Sequence, residues 1–294
     1  MSLASLFVIC RFVHFVSMMQ LFGACVFTRL LSPEGFSAIL ARKNQTLIIT
    51  SATISALSAV LLLAVQAGVM GNGWPDVLHL DVWLLVLTTT FGDVWRWHML
   101  LAALALLILL IDGLPGRFLL AILLSGGLLI GQALIGHAAM HDGLRGFLQR
   151  TNHAVHLLSA AYWFGSLVPL LTCMAYTHLP ATRQAAIVTL LRFSTFGHIA
   201  VALVVLTGII NSAMILGRWP IHLHSPYEFL LVCKAALVLL MVGVAVYNRY
   251  RLVPQLALHA DKTQRQMIAV CWFEFGLALL VIALVSLFAT LSPN

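Results

Sequence analysis

Runs of about 20 predominantly apolar residues recur along the whole chain, and little sequence is left between them for a soluble domain. At 1.5 Å per residue, a run of that length matches the hydrocarbon core of a bilayer. Backbone amides find no water there, so each run must satisfy its own hydrogen bonds as a helix. The spacing predicts about eight spans, near 4–31, 46–70, 94–112, 117–139, 150–176, 185–216, 227–252 and 266–291. Several exceed the length needed and are expected to tilt or protrude. The expected fold class is all-α, a polytopic membrane protein. The chain is 62% hydrophobic and 9% charged, against about 25% charged in soluble proteins, so one core in water is excluded.

The formal charge of +7 does not point to nucleic acid. Lys and Arg are spread over short loops and helix ends, as topology signals are, with no basic stripe interleaved with aromatics. Arg29, Arg42, Lys43, Arg117, Arg183, Arg249, Arg251, Lys262 and Arg265 fall on one side of the predicted spans. Arg145, Arg150 and Arg218 fall on the other, with Asp76, Asp81 and Asp93. The richer set belongs in the cytoplasm. Both termini then face outward, with His79, Met140, His141, His222 and His224. The first span lacks a basic leader and carries Arg11 and His14, so it is expected to stay as a helix. Cys10, Cys25, Cys173, Cys233 and Cys271 stand singly in apolar segments with no CxxC, which indicates neither a disulfide framework nor a zinc site.

The chain also resembles itself. Aligning His14 with His156 places HFVSMMQLFG over HLLSAAYWFG and Gly23 on Gly165. Aligning His98 with Lys234 places FGDVWRWH over YEFLLVCK, each followed by a long Leu/Ala/Val stretch. Eight spans then read as two parallel four-helix repeats, residues 1–140 and 141–294, a kind of duplication that transporters use.

Chemistry concentrates between Gly136 and Leu167. There His137, Met140, His141, His153 and His156 surround a short polar turn. His137 and His141 are four apart and His153 and His156 three apart, so each pair shares a helical face. Imidazole and thioether suit copper and haem iron, whereas carboxylates are nearly absent, Asp142 being the only one. Counting from the outer ends of the spans at ~1.5 Å per residue, His14 lies roughly 15 Å deep and His156 roughly 9 Å. His98 is similarly shallow. Cys10, His14 and Met18 are spaced by four, a ladder of soft ligands on one face such as copper(I) would use. His198 lies near mid-membrane, with Asn211 and Met214 continuing outward.

The candidate metal ligands are therefore His14, His98, His137, His141, His153, His156, His198, Met18 and Met140. For His98 and His198 taken singly, a helix–helix hydrogen bond of about 0.6 kcal/mol is the competing role. For His137, His153 and His156 together ligation is favoured, because unpaired polar groups in lipid are expensive. His178 and His259 read as interfacial, and His222 with His224 form an HxH that could capture metal. Of the charges within spans, Arg192 and Glu274 are at matching depth and are expected to form a structural pair.

RFVHFVSMMQLFG, GHAAMHDG, TNHAVHLLSAAYWFGSLVPLL, LRFSTFGH and the NRY closing the seventh span resemble the copper resistance protein D family, over nearly the whole chain. That resemblance implies a bacterial inner-membrane protein of copper homeostasis that moves copper from periplasm to cytoplasm. It also implies a separate periplasmic copper-binding partner of the copper resistance C type. It assigns the family's histidines to His14, His137, His153, His156 and His198. The expected function is copper transport rather than enzymatic chemistry. The alternative is a membrane cytochrome holding haem b between the same histidines, serving copper or quinone redox chemistry.

Overall fold

A computed structural model describes residues 2–136, 140–217, 225–255, 260–288 and 290–291. Its ordered elements are all helices: α1 (Leu3–Val26), α2 (Glu34–Met70), α3 (Leu80–Val86), α4 (Thr90–Leu110), α5 (Arg117–Gln132), α6 (Gly143–Ala175), α7 (Arg183–Leu216), α8 (Pro226–Tyr247), α9 (Val253–Gln255) and α10 (Ala260–Phe288). Among the described residues, seven helical stretches are long and apolar enough to cross a bilayer, and α5 is a shorter apolar helix of 16 residues. At 1.5 Å per residue α5 reaches about 24 Å, just under the ~30 Å core. The chain is an all-α polytopic membrane protein.

The helix ends differ from expectation where polar residues continue a helix out of the bilayer. α2 starts at Glu34, because Pro33 sits at its N-cap and Arg42, Lys43, Asn44 and Gln45 contain no breaker. α6 starts at Gly143 and carries Arg145 and Arg150 in its first turns. Between α2 and α4, a 3-10 turn over Trp74–Leu78 and the short α3 fill the connection between two predicted spans.

The bundle is centred on the crossing of α1 and α6. A Cβ on Gly23 would stand 2.5 Å from the Ala161 carbonyl oxygen, and one on Gly165 would stand 2.1 Å from that of Met19. Only two glycines let the backbones approach so closely, a device common between membrane helices. Ser166 Oγ donates to the Gly23 carbonyl at 3.2 Å. α2 and α5 pack on α1, α7 packs on α6, α4 joins α2 and α5, and α8 packs on α10. α7 and α8 hardly touch. His14 and His156 each stand nine residues before the crossing glycine of their own helix.

Candidate functional site

His14 is wholly buried on α1, between α2 and α4. Its Nδ1 lies 2.8 Å from Ser58 Oγ on α2, and its Nε2 lies 2.8 Å from His98 Nε2 on α4. The hydrogen-bond network fixes the tautomers. Ser58 spends its one proton on the Ile54 carbonyl at 2.6 Å, so its oxygen accepts from His14 Nδ1–H. His14 Nε2 is then a bare lone pair, and His98 Nε2–H donates to it. A histidine whose Nδ1–H is tied to an oxygen while Nε2 points at a neighbour is the arrangement of metal-ligating imidazoles. His98 Nδ1 is buried with no hydrogen-bond partner among the described residues. Beside it, a Cβ on Gly131 of α5 would come within 3.4 Å.

Aromatic rings seal this pair. Trp95, one turn before His98, stacks on it at 4.6 Å between centroids and 8° between planes. It also lies 5.8 Å from the His14 ring. Trp95 is anchored by Nε1–H donation to the Ala59 carbonyl at 2.9 Å, and Phe91 stacks on its far side. Cys10 and Met18, one turn before and after His14, are both buried.

A second histidine group lies on α6 and α7. His156 Nδ1 is 2.9 Å from Thr207 Oγ1, and Thr207 donates to the Leu203 carbonyl. By the same logic His156 keeps its proton on Nδ1 and a lone pair on Nε2. His153 Nδ1 accepts from Asn211 Nδ2 at 3.2 Å. Asn211 is oriented by Asn152, which donates to its Oδ1 at 2.9 Å. His153 therefore carries its proton on Nε2. The two rings are 6.2 Å apart and 9° from parallel. Both line a cavity of about 370 Å³, with Met18 and Lys234.

The expected cluster is thus divided. His14 meets His98, not His153 or His156, and no hydrogen bond or ring contact joins the two groups among the described residues. His137 lies outside the described residues, as do His222, His224 and His259. His141 binds Gln149 Oε1 at 2.6 Å near the start of α6, and Met140 beside it is 46% exposed. His198 is exposed, with Nδ1 2.6 Å from the Ser194 carbonyl oxygen and Nε2 3.1 Å from the Tyr250 hydroxyl. It lines a different cavity, of about 680 Å³, together with Glu274, Cys271 and Asn248.

Arg192 and Glu274 are not brought together. Trp163 Nε1–H donates to Glu274 Oε1 at 2.7 Å, whereas Arg192 donates to the Leu31 carbonyl at 3.2 Å. Depth along a helix matched the two residues, but their side chains leave α7 and α10 in different directions. Sequence reasoning also missed Ser58, Trp95 and Thr207. WRWH, with Trp95 and His98 on one helical face, was a usable signal for the second.

Among the described residues no three His, Cys, Asp or Glu side chains gather closely enough to enclose a metal. Among the described residues, His14 and His98 bring two ring nitrogens face to face. The 2.8 Å between His14 and His98 leaves no room for a haem macrocycle between them as they stand.

The sequence profile of the copper resistance protein D-like N-terminal domain matches residues 1–147, and that of copper resistance protein D matches residues 187–288. The chain is 31% identical to copper resistance protein D of Pseudomonas syringae pv. tomato, over 97% of this chain and 96% of that one. This chain belongs to the copper resistance protein D family. Within and around that family, it is 37% identical to inner membrane protein YebZ of Escherichia coli K12, over 99% of both chains. It is also 24% identical to copper transport protein CutJ of Bacillus subtilis, over 76% of this chain and 42% of that protein. No solved structure matches. His14, Ser58 and His98 lie within the part matched by the N-terminal profile.

Proposed function

We propose that this protein carries copper(I) across a bacterial inner membrane, with His14 and His98 as its first binding station. The observation that carries this reading is the pair of Nε2 atoms facing each other at 2.8 Å in a buried, aromatic-walled site. A metal–imidazole bond is about 2 Å, so an ion between the two nitrogens sets them about 4 Å apart, and the rings part by about 1 Å on loading. The proton on His98 Nε2 moves to its Nδ1, which has no other partner among the described residues, so that both Nε2 lone pairs face the ion. Two imidazoles in a buried, carboxylate-free site suit copper(I) rather than a hard cation. Ser58 holds His14 in the ligating tautomer.

Several features support the direction. The pair lies in the half of the bundle next to the N-terminus. Arg29, Arg42, Lys43, Arg117, Arg183, Arg249 and Arg251 cluster at helix ends on the opposite face, which the charge rule assigns to the cytoplasm. Copper then enters from the periplasm, delivered by a separate copper-binding protein of the copper resistance C type, and both termini are periplasmic. The related chains named for copper transport and the inner membrane fit this reading.

The test is copper(I) titration of the detergent-purified protein against a chromophoric chelator, with an absorption spectrum taken before and after dithionite. One high-affinity copper(I) is expected in the wild type and none in His14→Ala or His98→Ala. Unchanged stoichiometry in both variants would overturn the assignment. A Soret band that sharpens on reduction would replace it with a bis-histidine cytochrome.

A further inference from the structure

The cavity beside His153 and His156 is not used by this copper reading. It lies among α1, α6, α7, α8 and α10, and its walls are almost wholly apolar, with Phe15, Leu157, Phe164 and Ile282 among them. Its size falls within the range of small-molecule sites, which combine apolar walls with a few convergent polar groups. We propose that it binds a lipid-soluble quinol, with one ring hydroxyl held by Lys234, His153 and His156.

The polar groups define the ligand. Lys234 stands eight residues into α8, roughly 12 Å along the helix from its end. The Phe288 ring lies 6.0 Å from its Nζ, and no carboxylate pairs with it among the described residues. An ammonium at that depth requires a partner. His153 presents Nε2–H, a donor. His156 presents a bare Nε2, an acceptor. Neither Nε2 has a hydrogen-bond partner among the described residues. Two donors and one acceptor on the wall of one cavity fit a hydroxyl, which both donates and accepts.

Other occupants match less well. An acyl chain has no polar atom to give these three groups. A phospholipid or fatty-acid head would have to leave the interface to reach them. A quinone carbonyl only accepts, leaving His156 Nε2 unpaired, and a buried polar group left unpaired is what discriminates between such analogues. The reduced form is therefore the better ligand. Entry is lateral: α7 and α8 stand apart, and the lining residues Ile209 and Leu239 are largely exposed on the outer surface of the bundle.

The probe is a decyl-substituted benzoquinol, titrated into purified protein under anaerobic conditions and read by quenching of tryptophan fluorescence, since Trp163 lines the cavity. Saturable quenching is expected, weakened at least tenfold for the oxidised quinone and for Lys234→Met. Val238→Phe, which narrows the wall and leaves the polar trio intact, should abolish binding. His14→Ala should leave it unchanged. Non-saturable quenching by both forms, or unaltered binding in both Lys234→Met and Val238→Phe, would overturn the proposal. So would a copper(I) ion lost in His156→Ala and retained in His14→Ala, which would make the trio a metal site. Copper at His14 is measured separately, so either reading can fail without the other.

Discussion

Gln20 donates from Nε2 to the carbonyl of Gly165 at 2.7 Å, one turn before Pro169 in the interior of α6. Proline has no N–H, so the Gly165 carbonyl loses its usual backbone donor. In the interior of a membrane protein no water is at hand to replace it. A side chain from α1 does so, at the same level where Gly23 and Gly165 bring the two backbones together. The contact that satisfies α6 therefore also fixes its height against α1, and with it the depth of His14 relative to His156.

Removing Gln20 tests that relationship. Gln20→Leu should destabilise the protein by about 1–3 kcal/mol, the cost of an orphaned buried carbonyl. Pro169→Ala restores a backbone donor, so adding it to Gln20→Leu should recover most of the loss. Thermal unfolding in detergent reads both; fully additive effects would show that Gln20 acts elsewhere.

The glycine crossing makes a separate demand. Both Gly23→Ala and Gly165→Ala drive a methyl into backbone that cannot yield, and each should cost about 1–3 kcal/mol. Gly276→Ala on α10 has open space around it and should be neutral or slightly stabilising, as Ala is the better helix former. Equal unfolding midpoints for all three variants would refute the close crossing.

Ser58 should matter to copper without touching it. Ser58→Ala frees His14 to hold its proton on either nitrogen, and loss of such a supporting partner lowers metal affinity 10–100-fold. Ser58→Thr keeps the hydroxyl and should bind nearly as well as the wild type. The copper(I) titration described above measures both, and equal affinity in Ser58→Ala would mean that the tautomer is set by something else.

Much of this architecture is legible in the amino-acid sequence. The spans follow from apolar length, because the bilayer imposes length on sequence directly. His14 and His156 stand out as imidazoles in apolar helices, and the self-alignment that pairs them sets Gly23 on Gly165, the two residues that touch. What the sequence did not yield was side-chain direction. Depth puts His14, His98 and His156 alike in the outer half and does not say which of them meet; His14 meets His98, because α4 and α2 close around α1 while α7 and α8 stand apart. Ser58 was hidden among the serines of SATISALSAV, where a hydroxyl bonded to its own helix and one serving a histidine look alike.

Depth without direction also produced the expected Arg192–Glu274 pair, and the difference from the structure is measurable. Glu274 accepts from Trp163 Nε1 and Arg192 donates to the Leu31 carbonyl, so the two should behave independently. A double-mutant cycle between Trp163→Phe and Glu274→Leu, each of which removes one partner, should give coupling of about 1.5–3 kcal/mol, the range for a hydrogen bond to a charged group. The cycle between Arg192→Gln and Glu274→Gln should give a coupling near zero. Glu274→Gln alone should be mild, since its amide oxygen still accepts from the indole, whereas Trp163→Phe strands the carboxylate and should cost more. Strong Arg192–Glu274 coupling in unfolding measurements would restore the ion pair and displace the indole from its assigned role.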